Sequence, residues 1–146
     1  PVLGRIIRNL EAARFSRTMA GLIEAGTPAL AALQTARHTL RNRIMHAAVG
    51  DAVVRVREGA AVSTALKQTQ VFPPLVVQMV LGGEASGKTG PMFAKSADYL
   101  EGEFEAATQV FLSLLEPLII ILLGGIVLLI AAAIFLPILQ LNTLSF

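Results

Sequence analysis

The stretch from residue 118 to residue 136, LIIILLGGIVLLIAAAIFL, decides the fold class of this chain. It contains no ionisable side chain, and none follows it up to Phe146. At about 1.5 Å of rise per residue, a helix over this stretch is roughly 28 Å long, close to the ~30 Å hydrocarbon core of a bilayer. The alternative is a buried core helix, but such helices seldom run this far without a polar residue. The stretch therefore predicts a transmembrane helix, placed at residues 117–141.

The charged residues before this stretch are unevenly distributed. Residues 1–57 contain nine arginines and three acidic residues, whereas residues 58–116 contain three lysines and seven acidic residues. The formal net charge of +2 therefore averages a basic region, an acidic region and an uncharged region. By the positive-inside rule, the basic region is expected in the cytoplasm. It could attract anionic lipid or an acidic partner.

The composition excludes several classes of protein. Charged residues make up 15% of the chain and hydrophobic residues 54%, which is incompatible with intrinsic disorder. Because the chain has no cysteine, a disulfide framework, a zinc knuckle and a thiol nucleophile are excluded. No tryptophan and one tyrosine leave little for base stacking. We expect no catalytic residue, no cofactor, no metal ion and no nucleic-acid partner. The arginine-rich opening suggests no signal peptide, and a start at Pro1 suggests a fragment of a longer protein.

The residues before the apolar stretch have the spacing of amphipathic helices and show no sustained strand alternation. Phe15 and Met19 lie on one face of a first helix that Gly26 ends. Thr27 and Pro28 are expected to cap and begin a second helix. Three more helices are predicted over residues 45–56, ended by Gly59, over residues 63–70, and after Phe72-Pro73-Pro74.

A sixth helix is predicted from Pro91, after a break over residues 82–90. Its apolar residues step by 4, 3, 4, 3 and 4 along one seam: Phe93, Ala97, Leu100, Phe104, Ala107 and Phe111. Little interrupts it before the membrane stretch. We therefore predict an all-α chain, an antiparallel six-helix cytoplasmic bundle whose last helix continues into a C-terminal transmembrane helix. The predicted parts are a lead-in (1–14), the bundle (15–116), the membrane helix (117–141) and a periplasmic tail (142–146).

Residues 82–89, GGEASGKT, match the phosphate-loop pattern G-x-x-x-x-G-K-[ST]. A phosphate loop follows a strand of a parallel sheet, and no other part of the chain predicts a strand. A Walker-B aspartate is also missing, because Asp98 lies on the next predicted helix and Asp51 precedes the loop. A glycine-rich turn between two bundle helices is favoured, and nucleotide binding is kept as a remote alternative.

Several blocks of the sequence together resemble the type II secretion system F family of inner-membrane platform proteins, whose relatives serve type IV pilus assembly. The blocks are FSRTMAGLIEAGTPAL at 15–30, VREG at 56–59, FPPLVVQM at 72–79, GEASG at 83–87, LLEP at 114–117 and LPI at 136–138. The family usually has Leu where this chain has Thr89. That one difference completes the phosphate-loop match, which is therefore interpreted as a coincidence.

The resemblance implies that this is the second of two homologous cytoplasmic domains, followed by the last helix of a multi-pass bacterial inner-membrane protein with a periplasmic C-terminus. It implies a non-catalytic role that couples a cytoplasmic secretion ATPase to pseudopilus assembly. The implied partners are that ATPase, other inner-membrane secretion subunits, pseudopilins and membrane lipid, and a homo-oligomer is expected. The ending LQLN at 139–142 favours secretion over pilus assembly. A membrane-anchored helical adaptor unrelated to secretion is the remaining alternative.

Glu84 is the strongest single candidate, either as a helix cap that accepts backbone N–H bonds at a turn or as a partner contact. Asp98, Glu101 and Glu105 form either a solvated face or an acidic docking stripe. Glu116 at the membrane entrance could pair with a neighbouring subunit or remain hydrated. The full set of motif and interaction candidates is Gly26, Gly59, Pro73, Pro74, Gly83, Glu84, Ser86, Gly87, Asp98, Glu101, Glu105, Glu116 and Pro117.

Overall fold

The computed structural model describes residues 2–144, and these residues form six α-helices. The helices are α1 (Val2–Glu24), α2 (Ala29–Arg37), α3 (Arg43–Arg57), α4 (Val62–Thr69), α5 (Pro74–Ser86) and α6 (Thr89–Leu144). No strand occurs between Val2 and Leu144. The predicted all-α fold with a long apolar last helix is confirmed.

The chain divides into two compact units after Glu105. The bundle unit contains α1 to α5 and the part of α6 up to Glu105, and the stem unit contains the rest of α6 from Ala106 onward.

The bundle unit is built around one apolar core. Phe15 on α1 is fully buried, and its ring centroid lies 5.0 Å from that of Phe72 and 6.4 Å from that of Phe93. The other large, fully buried apolar side chains are Met19, Leu33, Met45, Leu66, Leu100, Val49, Val76 and Val80. Every helix therefore contributes to this core, which explains the helical spacing of apolar residues in the sequence.

Consecutive helices pack against each other and run in opposite directions. Short turns join α1 to α2, α2 to α3, α3 to α4 and α4 to α5, and each of these pairs is in contact. α6 runs antiparallel to α1, because Gly90 near its start packs on Ile23 and Glu24, whereas Asp98 and Glu101 face Arg17. α6 therefore runs from the end of α1 towards its beginning.

This alternation gives the bundle unit two different ends. The glycine end carries the turns after α1, α3 and α5, which contain Gly26 (φ 91°), Gly59 (φ 108°) and Gly87 (φ 71°). Side chains other than glycine rarely adopt these backbone angles. The arginine end carries the first turns of α1 and the α2–α3 and α4–α5 turns. There the C-cap of α4 is Gln70, whose φ of 58° is positive without a glycine.

Two sequence-based predictions about helix ends are wrong. The expected break over residues 82–90 does not exist: α5 continues to Ser86, only Gly87 and Lys88 separate it from α6, and α6 begins at Thr89. Thr27 does not cap α2, because Pro28 takes the N-cap position and no side chain caps that helix.

The stem unit is a single apolar helix segment. From Ala106 to Thr143, every residue except Ala107 and Ala131 is exposed. Within residues 2–144, α6 is the single helix long and apolar enough to cross a membrane, and its most apolar window is not buried. Among the described residues, this segment is therefore not a buried core helix. Pro117 and Pro137 lie inside this helix. Of the tail predicted at 142–146, Ser145 and Phe146 lie outside the described residues.

Candidate interaction site

Glu84 joins the last turn of α5 to the first turn of α4. Its Oε1 accepts a hydrogen bond from the backbone N–H of Ser63 at 2.9 Å, and its Oε2 accepts one from the Ser63 hydroxyl at 2.6 Å. Ala61, the N-cap residue of α4, supplies no side-chain hydrogen bond. The Glu84 carboxylate therefore satisfies the start of α4 from another helix, where a negative charge also complements the helix dipole. The sequence had suggested that Glu84 lies at a turn, but it lies within α5.

A second carboxylate, Glu11, has the same role at the start of α3. It is 5% exposed, and it accepts hydrogen bonds of 2.9 to 3.0 Å from the backbone N–H groups of Arg41 and Asn42. Sequence reasoning missed this residue. The available signal was its position four residues before Phe15, on the buried face of α1, where a carboxylate needs hydrogen-bond donors.

The α5–α6 turn depends on glycine at two positions. A Cβ on Gly83 would lie 2.8 Å from Cγ of Met92, so the two helices approach through the missing side chain. Gly87 adopts left-handed geometry, and its N–H and that of Lys88 both bond to the Gly83 carbonyl oxygen. Ser86 donates its hydroxyl to the Gly82 carbonyl oxygen at 2.9 Å. Both glycines therefore have structural roles in this turn.

This turn is not a phosphate loop. Residues 82–86 are helical, so most of their N–H groups are hydrogen-bonded within α5 and cannot cradle phosphates. Among residues 2–144, no group of three or more His, Asp or Glu side chains is placed to hold a metal ion.

Arg17 on α1 bridges two of the predicted acidic residues on α6. Its Nη2 lies 2.6 Å from Oδ1 of Asp98 and 2.9 Å from Oε2 of Glu101, and the pKa of Arg17 is raised, first by the hydrogen bond to Asp98 and then by that to Glu101. All three side chains are substantially exposed. Arg17 thus pairs with two of the three residues of the predicted acidic stripe. The third, Glu105, is exposed and forms no salt bridge among the described residues.

Tyr99 donates a hydrogen bond to Oε1 of Glu103 at 2.7 Å on the same helix. This hydrogen bond, and then the negative charge of the carboxylate, raises the pKa of the Tyr99 phenol. Both effects stabilise the protonated phenol.

Pro73 and Pro74 lie at the arginine end of the bundle unit. Pro73 is the N-cap of α5, and Pro74 is its first residue, where the missing N–H costs nothing. They line a cleft of about 540 Å³ together with Arg5, Arg8 and the residues 70–72. Glu116 and Pro117 belong to the stem unit, where both are exposed. The structure therefore distributes the sequence candidates over both ends of the bundle, the α1–α6 face and the stem.

The sequence matches a family model described as type II secretion system (T2SS), protein F, over residues 15–137. The chain belongs to this family. The resemblance seen in the sequence blocks is thereby confirmed, and the protein F family is one of non-catalytic platform proteins of the inner membrane.

Individual relatives come from both secretion and pilus systems. The chain is 38% identical to the type II secretion system protein F of Aeromonas hydrophila and 40% identical to that of Pseudomonas aeruginosa, in each case over 99% of its length. It is 39% identical to the type IV pilus assembly protein PilC of Myxococcus xanthus over 87% of its length. The chain spans 37%, 36% and 30% of these relatives, respectively. The similar identities leave the choice between the two systems open.

Proposed function

We propose that this chain is the second cytoplasmic domain and last membrane helix of a type II secretion platform protein. In this role it couples the cytoplasmic secretion ATPase to pseudopilus assembly, as part of a homo-oligomer in the bacterial inner membrane. The observation that carries the proposal is the protein F match over residues 15–137, which includes both the bundle and most of the apolar helix. The C-terminus then lies in the periplasm.

We assign the ATPase contact to the glycine end of the bundle unit. Gly26, Gly59, Ser86, Gly87 and Lys88 are exposed there, and the glycine turns hold this surface in a defined conformation. The carboxylate of Glu84 supports it from within by fixing α5 to α4. A surface formed by tight turns on a packed core can transmit force from a bound motor without deforming.

We assign the remaining acidic candidates, Glu105 and Glu116, to contacts with neighbouring inner-membrane subunits or pseudopilins. Both are exposed on α6, on either side of the uncharged segment 106–115. Asp98 and Glu101 are less available because both are already paired with Arg17.

The test is deletion of the gene in its native host, complemented by the full-length protein. The deletion is expected to abolish type II secretion and to leave surface pili intact. Within the complementing protein, Lys88→Glu is expected to reduce co-purification of the cognate ATPase, whereas Lys95→Glu, the same charge change at an exposed position along α6, is expected to leave it unchanged. An unchanged secretome in the deletion strain would refute the secretion role.

A platform role in type IV pilus assembly is the second candidate, supported by the 39% identity to the PilC protein of Myxococcus xanthus. The same deletion decides between the two. Loss of surface pili with normal secretion selects the pilus role.

A further inference from the structure

The arginine end of the bundle unit carries four exposed guanidinium groups without an acidic partner. Arg5 and Arg8 lie on the first turns of α1, and Arg41 and Arg43 flank Asn42 at the start of α3. None of the four forms a salt bridge with any residue between Val2 and Leu144. The nearby carboxylate of Glu11 is buried and bonded to the backbone N–H groups of Arg41 and Asn42. The Glu11 oxygens therefore bond to backbone groups at the start of α3 and not to the guanidinium groups.

Arg43 does not stabilise α3 through the helix dipole. It is the first residue of α3, where the dipole disfavours a positive charge. Packing does not require the four arginines either, because all four residues are exposed. No salt bridge among residues 2–144 therefore accounts for the positive charge at this end.

Large apolar side chains are exposed among the same arginines. Leu3 and Ile44 are each 71% exposed and Ile7 is 47% exposed. A small cleft of about 210 Å³ is lined by Ile7, Arg8, Asn42 and Ile44, which places the starts of α1 and α3 side by side. The larger cleft of about 540 Å³ connects Arg5 and Arg8 to the α4–α5 turn. We call Leu3, Arg5, Ile7, Arg8, Arg41, Arg43 and Ile44 the basic-apolar patch.

Exposed Leu and Ile side chains mixed with arginines are typical of surfaces that lie on a membrane. The guanidinium group is weakly hydrated and binds phosphate with two parallel hydrogen bonds. The last helix of the same chain contains a candidate membrane span. A membrane surface is therefore favoured over an acidic protein surface as the occupant of the patch.

We propose that the basic-apolar patch docks on the cytoplasmic leaflet and binds the phosphate groups of anionic phospholipids. The arginines contact the headgroup phosphates, while Leu3, Ile7 and Ile44 enter the interfacial region. Docking through the starts of both α1 and α3 fixes the orientation of the domain relative to the membrane, which a single helical anchor does not. The proposal requires membrane anchoring by α6, but not the choice between secretion and pilus assembly.

The test uses the whole chain in lipid nanodiscs. Because the chain has no cysteine, Ile44→Cys accepts a single polarity-sensitive fluorophore at the patch, and Ala25→Cys labels the glycine end as a control. The Ile44 label is expected to shift to the blue as phosphatidylglycerol replaces phosphatidylcholine, and the Ala25 label is expected not to respond. Salt of about 1 M should remove the shift, since it screens charges beyond about 3 Å.

A matched pair of triple variants tests the arginines themselves. Arg5→Gln/Arg8→Gln/Arg43→Gln is expected to weaken docking by about a hundredfold, because each arginine near an anionic surface contributes roughly fivefold. Arg14→Gln/Arg55→Gln/Arg57→Gln removes the same charge elsewhere and is expected to leave docking unchanged. Circular dichroism of both variants checks that the helices remain folded.

Three results would overturn the proposal. The first is an Ile44 label with the same emission in both lipids, and the second is an equal loss for the two triple variants. The third is a response to added polyglutamate but not to phosphatidylglycerol, which would assign the patch to an acidic protein segment. Retention of the chain in pure phosphatidylcholine discs reports separately on anchoring by α6.

Discussion

The bundle unit and the stem unit contain similar apolar residues, but these are buried in the bundle unit and exposed in the stem unit. In the bundle unit, Phe93, Ala97 and Leu100 are fully buried against other helices. In the stem unit, Phe111 continues the same seam but is 65% exposed, and the aliphatic residues that follow it are exposed as well. The same helix thus begins with one buried face and continues with apolar side chains all round, as expected where lipid replaces the protein core.

The polar interactions differ in the same way. The bundle unit uses carboxylates to satisfy helix starts, through Glu11 and Glu84, whereas the stem unit has helical backbone from Ala106 to Leu144 and so needs no such support. In lipid, a helix is favoured because it satisfies its own backbone groups. Stability therefore depends on side-chain packing in the bundle unit and on an apolar surface in contact with lipid in the stem unit.

The largest expected effect is the difference in stability between variants of a buried and an exposed phenylalanine of α6. Phe93→Ala removes a fully buried ring and is expected to lower the free energy of unfolding of the bundle by about 3 to 5 kcal/mol. Phe111→Ala, at an exposed position, should change it by no more than about 0.5 kcal/mol. Denaturant unfolding of the chain in detergent, followed by circular dichroism, measures both. Equal losses would mean that the bundle packing continues into the stem.

The second expected effect concerns the stem unit. Ile126→Arg places a charge near the middle of the apolar stretch and should oppose membrane insertion by roughly 3 kcal/mol. Gln109→Arg, at a position that is already polar and lies before Glu116, is the control and should insert normally. Resistance to alkaline carbonate extraction of membranes measures insertion. Normal insertion of Ile126→Arg would contradict the assignment of this stretch as the span.

The third expected effect concerns the carboxylate cap. Glu84→Ala leaves the buried N–H of Ser63 without its acceptor and should cost about 1 to 3 kcal/mol of bundle stability. Glu84→Gln retains an acceptor oxygen and should cost less, whereas Glu58→Ala, an exposed glutamate, should be near neutral. Thermal unfolding of the three variants gives the order. If Glu84→Ala unfolds like Glu58→Ala, the cap is unimportant.

The sequence predicted the fold where local patterns determine the structure. The apolar seam through Phe93 and Leu100, the glycine turn at Gly26 and the uncharged stretch all follow from spacing and composition. Glu84 was predicted as a cap without its partner, and the Glu11 cap was missed, because these carboxylates reach backbone groups 21 and 30 residues away in sequence. No periodicity identifies such a pair.

The end of α5 was mispredicted for a different reason. Gly82 and Gly83 disfavour helix when considered alone, and so they indicated a break. In the structure, the close approach of Met92 requires a residue without a Cβ at position 83, and tertiary packing outweighs the propensity. The same contact explains why a sequence that matches a phosphate loop is helical here.

The fourth prediction compares a glycine from each unit. Gly87→Ala forces a side chain into left-handed backbone (φ 71°) and should destabilise the bundle by about 1 kcal/mol. Gly124→Ala meets no atom within 4 Å and lies inside a helix, where alanine is favoured by about 1 kcal/mol. Gly87→Ala should therefore lower the thermal unfolding temperature and the helical content, whereas Gly124→Ala should raise them. A loss of stability at both positions would indicate a packing partner at Gly124.

The smallest expected effect concerns the pKa of Tyr99, on the part of α6 that belongs to the bundle unit. The Glu103 carboxylate accepts a hydrogen bond from the Tyr99 phenol and opposes formation of phenolate, so the pKa of Tyr99 lies above its ordinary value. Glu103→Gln removes the negative charge and should lower that pKa towards the ordinary value. Glu101→Gln, whose carboxylate is paired with Arg17, should change it little. The chain has one tyrosine and no tryptophan, so the ultraviolet absorbance of tyrosinate against pH reports Tyr99 alone. Equal titration curves for the two variants would show that the hydrogen bond to Glu103 does not persist in solution.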